Sequence, residues 1–304
     1  RRPMFQPDPD IQRSSTLAAF LKDCGIDSYE ALVRRSNEEP DWFWGRIIDH
    51  AGIRFRRPHT MLRDISAGPE SIRWAVGAAL NLTETCLDAR IAQGLGEKIA
   101  IDWLGEDGSR RRWTYSELAA EASRVASALD ARGVRPGQAV GVYMPMIPEI
   151  EAALLGIARL GAVAVPLFSG FAPHAIISRL NDAGAVAVLT ADATPRQGKL
   201  VWMEATLAEA LTEVPSVHTV FSLRRFGGAV ADPARDLDWA ETVGHASPDF
   251  AAVPVKAEDT FLIAYTSGTT GRPKGVVHTH LGVQAKATAD FLLCLDLKRD
   301  DRHL

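Results

Sequence analysis

From Ala139 to Leu223 the chain alternates short apolar runs with segments of helical character. The run Ala139 to Met144 is followed by a helix that opens on Pro148 and ends at Leu160, where Gly161 stops it; Ala162 to Val165 is the next apolar run. A helix over Pro173 to Ala183, a strand over Val186 to Leu189, a helix across Leu207 to Leu211 and a strand over Val217 to Leu223 continue the pattern. Parallel strands need a crossover between them, usually a helix, so this order predicts an α/β fold of layered, parallel-rich sheets with crossover helices.

Upstream, Thr114 and Glu117 have capping-box spacing, and Leu118, Ala122, Val125, Ala126 and Leu129 recur at three and four residues until Gly133 ends the helix. Ile99 to Leu104 and Arg111 to Trp113 read as a hairpin turned by Gly105, Asp107 and Gly108. Before that comes a leader that reads as helical. Its first dozen residues are polar and proline-rich and predict no regular structure. Short helices are expected over Thr16 to Leu21 and over Ser28 to Arg35, with Ser28 as cap, and a third over Asp41 to His50. In the third, Trp42, Phe43 and Trp44 read as core anchors, with Ile47 and Ile48 at helical spacing. Asp64 to Cys86 shows no single period. Downstream, residues 224–255 read as loops around one short helix near Trp239, and Gly282 to Leu295 as a helix.

The chemistry-bearing stretch is Tyr265 to Gly275, YTSGTTGRPKG, between the apolar run Phe261 to Ala264 and a second short strand opened by Val276 and Val277. Gly268, Gly271 and Gly275 free the backbone to turn with N–H groups inward, Thr266, Ser267, Thr269 and Thr270 add hydroxyls, and Lys274 adds a mobile positive charge. That inventory suits a polyphosphate. The competing reading is a flexible Gly/Thr surface loop that binds nothing, which the density of hydroxyls and glycines behind a buried strand disfavours. A GxxxxGK[ST] loop does not fit, because Pro273 precedes Lys274 and Gly275 follows it.

A second corner holds Phe168, Ser169 and Gly170 at one strand end, and Arg196 and Lys199 in a loop past another. Ligands of open α/β sheets bind beyond the carboxyl ends of strands, and two such loops can meet around one phosphate-bearing ligand. A solvated surface loop is the plainer reading of those basic residues. His278 and His280 flank Thr279 and point the same way if the strand continues; without a third ligand nearby, a structural or pocket-lining role is favoured and no metal site is assigned.

A net charge of −4 with no basic block gives no reason to expect nucleic acid or an anionic membrane surface. The longest apolar run, Ala152 to Phe168, is broken by Arg159, Gly156, Gly161 and Pro166, which excludes it as a bilayer span. Cys24, Cys86 and Cys294 are odd in number and far apart, which suits reduced thiols; with no signal-peptide core at the start, a cytoplasmic location is expected.

YTSGTTGRPKG resembles the phosphate-binding signature of the adenylate-forming superfamily, which includes acyl-CoA synthetases, luciferases and peptide-synthetase adenylation domains. The aromatic-rich leader and the phrase CLDAR resemble the amino-terminal extension of acetyl- and propionyl-CoA synthetases, with Ala89 interposed before Arg90. The resemblance implies a leader over residues 1–95 and, over 96–304, the first half of the large AMP-binding domain, with the small carboxy-terminal domain absent. It implies conversion of ATP and a carboxylate, acetate or another short-chain acid, to an acyl-adenylate and pyrophosphate, then a thioester with coenzyme A and release of AMP. Lys274 and the hydroxyls then hold the departing pyrophosphate, with Mg2+ bridging.

The resemblance also implies that Phe168, Ser169, Gly170, Arg196 and Lys199 bind the coenzyme A nucleotide, although Ser169 stands for a glycine and Lys199 for an arginine. The family's adenine, ribose and hinge segments and its adenylation lysine fall downstream of residue 304, so the chain alone is expected to be inactive. Two alternatives stay open: another adenylate-forming ligase, such as an aryl-CoA ligase or an adenylation domain, and a non-catalytic nucleotide-binding module. Oligomeric state is not legible in the sequence.

Overall fold

A computed structural model describes residues 8–228, 231–266 and 273–303. Two compact units divide the chain: one comprises residues 54–58 and 78–280, the other 1–53, 59–77 and 281–304.

The larger unit is built on a seven-stranded sheet among the described residues. Its strands are β1 (Ala139–Tyr143), β2 (Val163–Pro166), β3 (Ala187–Ala191), β4 (Thr219–Leu223), β5 (Asp236–Asp238), β6 (Thr260–Thr266) and β7 (Lys274–Thr279), in the order β5-β4-β3-β1-β2-β6-β7. All neighbours are parallel except β6 and β7, which form an antiparallel hairpin. The expected parallel-rich α/β fold is therefore what forms, with β5 as a strand the sequence did not signal.

Crossover helices cover both faces because side chains alternate along each strand. Val140, Val142, Ala164, Leu189 and Phe221 pack against Val125 and Leu129 of α1 (Tyr115–Ala131) and Ile157 of α2 (Pro148–Leu160). On the opposite face Val163, Val165, Val188 and Val220 meet Ile176 and Leu180 of α3 (Pro173–Ala183) and Leu207 and Leu211 of α4 (Met203–Leu211). Local signals set the helix ends as read: Thr114 and Glu117 form the reciprocal capping box of α1, Pro148 and Pro173 open α2 and α3, and Gly161 and Gly184 close them at φ 78° and 60°. The hairpin Ile99–Leu104 with Arg110–Thr114 also forms.

The smaller unit contains the helices Thr16–Asp23, Tyr29–Glu38 and Pro40–Ala51, with Ser28 accepting from the Ala31 N–H at the start of the second. Residues Pro9–Ser14 add a helical segment where none was expected, because Asp8 caps it and Pro9 occupies its first turn. The fully buried residues of the third helix are Ile47 and Ile48, whereas Trp42, Phe43 and Trp44 are half-buried, and Trp42 stacks under Arg35 at 3.8 Å. The helical leader thus holds to Ala51. Beyond it the aperiodic stretch becomes short strands, including the pair Met61–Asp64 and Arg73–Val76 within this unit. The helix His280–Thr288 and the wider helical turn Ala289–Cys294 match the last expected helix, and the Thr16 N–H donates to Asp296 Oδ1 at 2.7 Å.

Candidate functional site

The parallel strands of the larger unit end at one edge, and the loops leaving that edge hold the polar and aromatic groups of interest. After β2, Leu167 donates to the Val142 carbonyl at 2.9 Å, and Phe168 to Phe171 then turn, closed by Phe171 N–H to Phe168 O at 2.9 Å. Tyr143, buried at the end of β1, steadies this turn by donating its hydroxyl to the Ser169 carbonyl at 3.2 Å. Burial holds the Tyr143 phenol above its usual pKa, so it remains a donor.

Gly170 permits a close approach. A Cβ there would collide with Arg196 Nη1 and stand 2.7 Å from Phe168 Cε1. The Arg196 guanidinium lies over the Phe168 ring, 5.4 Å from its centroid. Arg196 and Lys199 are not in an irregular loop, as the sequence suggested. They are the closing pair of a hairpin, Ala193–Arg196 with Lys199–Trp202, turned by Gln197 and Gly198 at φ 52° and 73°. Two consecutive left-handed residues are the pattern that a tight two-residue hairpin requires.

Phe168, Ser169 and Arg196 line a cavity of about 360 Å3, whose other walls are Trp103 to Asp107, Pro145 to Ile147, Arg225 and Phe226. Lys199 is exposed and does not line it. Arg225 stacks 5.1 Å from Phe226 and 5.9 Å from Trp103, so the far wall repeats the aromatic and guanidinium chemistry of the near one.

The residue that unites these walls is Asp192, which sequence reading missed. Wholly buried, its carboxylate accepts from the N–H groups of Ala193 and Phe226 at 2.7 Å each, Arg225 at 3.0 Å and Gly228 at 3.2 Å. One side chain therefore satisfies the backbone donors of the loops after β3 and β4, a requirement for burying them. The signal available was an aspartate directly after a strand end.

The hairpin of β6 and β7 carries the other predicted site. Thr266 pairs with Lys274 and Tyr265 with Gly275, and the Thr266 and Lys274 side chains are exposed where the hairpin opens. A Cβ on Gly275 would stand 2.8 Å from Ile263 Cγ2, so glycine keeps the strand seated. Ser267, Gly268, Thr269, Thr270 and Gly271 lie outside the described residues. Leu262 of β6 pairs with Ala164 of β2, so the two strands run parallel and side by side, β2 ending at Pro166 and β6 at Thr266. The Tyr265 hydroxyl donates to Asp182 Oδ2 at 2.5 Å, and burial, then that bond and its negative charge, hold its pKa above the usual phenol value.

The two histidines part company. The strand ends at Thr279, so His278 stays exposed on β7 while His280 starts a helix and is fully buried. His280 Nδ1 accepts from the Leu82 N–H at 3.3 Å, and burial lowers its pKa to about 4, so it is neutral at pH 7. Burial pushes the Cys86 thiol up to about 12, which makes it a poor nucleophile. No group of three His, Cys, Asp or Glu suited to a metal ion occurs among the described residues.

Comparison with known proteins adds sequence and structural relatives. The family model described as AMP-binding enzyme matches residues 88–304, and that described as acetyl-coenzyme A synthetase N-terminus matches residues 29–86. The acetyl-coenzyme A synthetase of Aeromonas salmonicida is 40% identical over 281 residues, covering 90% of this chain and 42% of the relative. Acetyl-coenzyme A synthetase 2 of Pseudomonas putida is 38% identical over 293 residues, covering 95% and 45% respectively. Among solved structures, acetoacetyl-CoA synthetase from Streptomyces lividans superposes with a TM-score of 0.90 at 28% identity, covering 98% of this chain and 46% of that one. The chain thus spans less than half the length of these relatives.

Proposed function

The chain belongs to the AMP-binding enzyme family, and from that premise we propose that it is the amino-terminal part of an AMP-forming acyl-CoA synthetase acting on acetate or another short-chain acid. The observation that supports the reading is the parallel pairing of β2 with β6, Leu262 beside Ala164, so that the strand leading to Phe168 and the strand leading to Thr266 lie side by side in one sheet. In this reading residues 1–95 are the leader and 96–304 the first half of the AMP-binding domain.

Carboxylate oxygen attacks the α-phosphorus of ATP, the bond to pyrophosphate breaks, and the thiolate of coenzyme A then displaces AMP. What the protein supplies is placement and stabilisation of phosphate charge. Lys274 and Thr266, with Ser267, Gly268, Thr269, Thr270, Gly271 and Gly275, are assigned to the leaving pyrophosphate. Phe168, Ser169, Gly170 and Arg196 are assigned to the coenzyme A nucleotide; the Arg196 guanidinium, whose close approach Gly170 permits, is a planar fork that suits a phosphate-bearing ligand. Lys199, paired with Arg196 across the hairpin but outside the cavity, acts as a longer-range charge. Mg2+ bound to the ATP phosphates would offset their negative charge beside Lys274 and Thr266, and no group of three His, Cys, Asp or Glu among the described residues would hold it by itself. The chain's three free cysteines support a reducing, cytoplasmic setting, and its net charge of −4 supports small-molecule partners rather than nucleic acid.

The test is product identity. Given ATP, Mg2+, coenzyme A and acetate, the complete polypeptide carrying this sequence is expected to release pyrophosphate and AMP in step with acyl-CoA, while the 304-residue chain alone forms none. Release of ADP and phosphate would overturn the reading.

A further inference from the structure

The cavity beside Arg196 crosses the carboxyl ends of four consecutive strands. Phe168 and Ser169 follow β2, Pro145 to Ile147 follow β1, Arg196 stands in the hairpin after β3, and Arg225 follows β4. On its other side β2 adjoins β6, the strand that leads to the residues assigned to ATP. The cavity therefore has a near wall at Phe168, with Arg196 over its ring, and a remote wall at Arg225.

The main chain of the remote wall is fixed, because the N–H groups of Arg225 and Phe226 donate to the buried Asp192 carboxylate at 3.0 and 2.7 Å. The Arg225 side chain is not neutralised. Its guanidinium lies 5.1 Å from the centroid of Phe226 and 5.9 Å from that of Trp103, and among the described residues it makes no ion pair, whereas Arg224 stands 3.2 Å from Asp238 Oδ2. Asp107 lines the same cavity, but its Oδ1 accepts from the Ser109 N–H at 2.9 Å and from the Ser109 hydroxyl at 2.5 Å. Trp103 is itself held, donating its indole N–H to the Met146 carbonyl at 2.7 Å. A guanidinium seated on aromatic faces with its donor fork unfilled suits a phosphate group.

We propose that Arg225 is a further residue of the coenzyme A nucleotide site and that it reads the 3′-phosphate, the group that separates coenzyme A from dephospho-coenzyme A. This rests on the acyl-CoA synthetase reading above. The thiol of coenzyme A ends the pantetheine arm, which leaves the nucleotide from its 5′-diphosphate. To meet an acyl-adenylate, that arm leaves the cavity on the β2 side, where β6 is the neighbour. The 5′-diphosphate then lies towards Phe168 and Arg196, and the ribose with its 3′-phosphate towards β4 and Arg225. Because Asp192 already fixes the backbone under Arg225, little freedom remains to be lost when the phosphate engages.

The experiment measures acyl thioester formation by the complete polypeptide at saturating ATP, Mg2+ and acetate, with coenzyme A and dephospho-coenzyme A each varied. Specificity is the ratio of their kcat/KM values, and in the parent coenzyme A is expected to lead by about tenfold or more, as befits one hydrogen-bonded charge contact. In Arg225→Met, which keeps the apolar stem and removes the cation, the ratio is expected to fall to about one to two, the loss falling on coenzyme A rather than on its dephospho form. Arg225→Lys is expected to restore part of the ratio, since it returns the charge without the planar fork.

An undiminished ratio in Arg225→Met, or equal use of the two thiols by the parent, would overturn the proposal. So would an equal fall in kcat/KM for both thiols, which is the mark of a merely structural residue. A parent that forms no acyl thioester with either would instead overturn the functional reading, and this inference with it.

Discussion

At the scale of single residues, Gly170 is the tightest point of the corner assigned to coenzyme A. Any side chain at this position displaces the Arg196 guanidinium and presses on Phe168. Because Arg196 is the end of a flexible side chain on a hairpin, it can move without disturbing the fold. Gly170→Ala is therefore expected to weaken coenzyme A by roughly tenfold, the cost of one misaligned charge-assisted contact, while the melting temperature shifts by no more than about 2 °C. Titration calorimetry paired with a thermal melt checks both halves. The sequence named Phe168, Ser169, Gly170 and Arg196; the structure puts Phe168, Ser169 and Arg196 on one cavity wall, with Gly170 packed behind Arg196 and Phe168. It did not name Asp192, whose four backbone donors come from loops after two different strands. Nothing local in the sequence connects residue 192 with residues 225–228.

At the scale of elements, the strongest constraint is the contact between α1 and α2. A Cβ on Gly156 would stand 2.6 Å from Val125 Cβ and 2.7 Å from the Ala122 carbonyl, the latter a backbone atom that cannot turn aside. Alanine would gain about 1 kcal/mol in helix propensity, but overpacking costs typically 1–3 kcal/mol, and here it falls on a helix backbone. Gly156→Ala is expected to destabilise the larger unit by about 1–2 kcal/mol net, read as a lowered denaturation midpoint in urea. The helices were legible because caps, proline starts and glycine stops are local. The strands between Phe55 and Leu80 and the hairpin Ala193–Trp202 were not, because runs of two to four residues are too short to show a period. Proline within such a run, as at Pro195, argues against a strand unless it lies at an edge.

For the whole molecule, the buried His280 makes stability depend on pH. Its pKa is about 4 in the fold against 6.5 in the unfolded chain, burial being the main cause and Asp259 a smaller opposing one. Between these values the unfolded state binds the proton and the folded state does not, so stability falls as pH drops from 6.5 towards 4 and is fully retained above 6.5. The shift corresponds to a contribution on the order of 3 kcal/mol at most. Denaturant midpoints from pH 7.5 to 4.5 are expected to fall, and the slope over that window is expected to shrink in His280→Asn, whose amide oxygen can still accept from the Leu82 N–H. An unchanged slope would remove His280 as its source. The sequence paired this histidine with His278 on one strand face, and chain direction after Thr279 separates them.

What the sequence determined by itself is local or carried by a contiguous phrase: the strand, helix, strand order, the helix ends and the glycine, threonine and lysine content of the stretch from Tyr265 to Gly275. Each depends on neighbours within a few positions, where propensity and steric limits act. What only the tertiary structure decided is which strand ends meet. The order β5-β4-β3-β1-β2-β6-β7 puts β2 beside β6 although nearly a hundred residues separate them in the chain, so the strands that lead to Phe168 and to Thr266 lie side by side. Residue periodicity carries no information about which strands pair; the choice comes from packing both faces of the sheet at once.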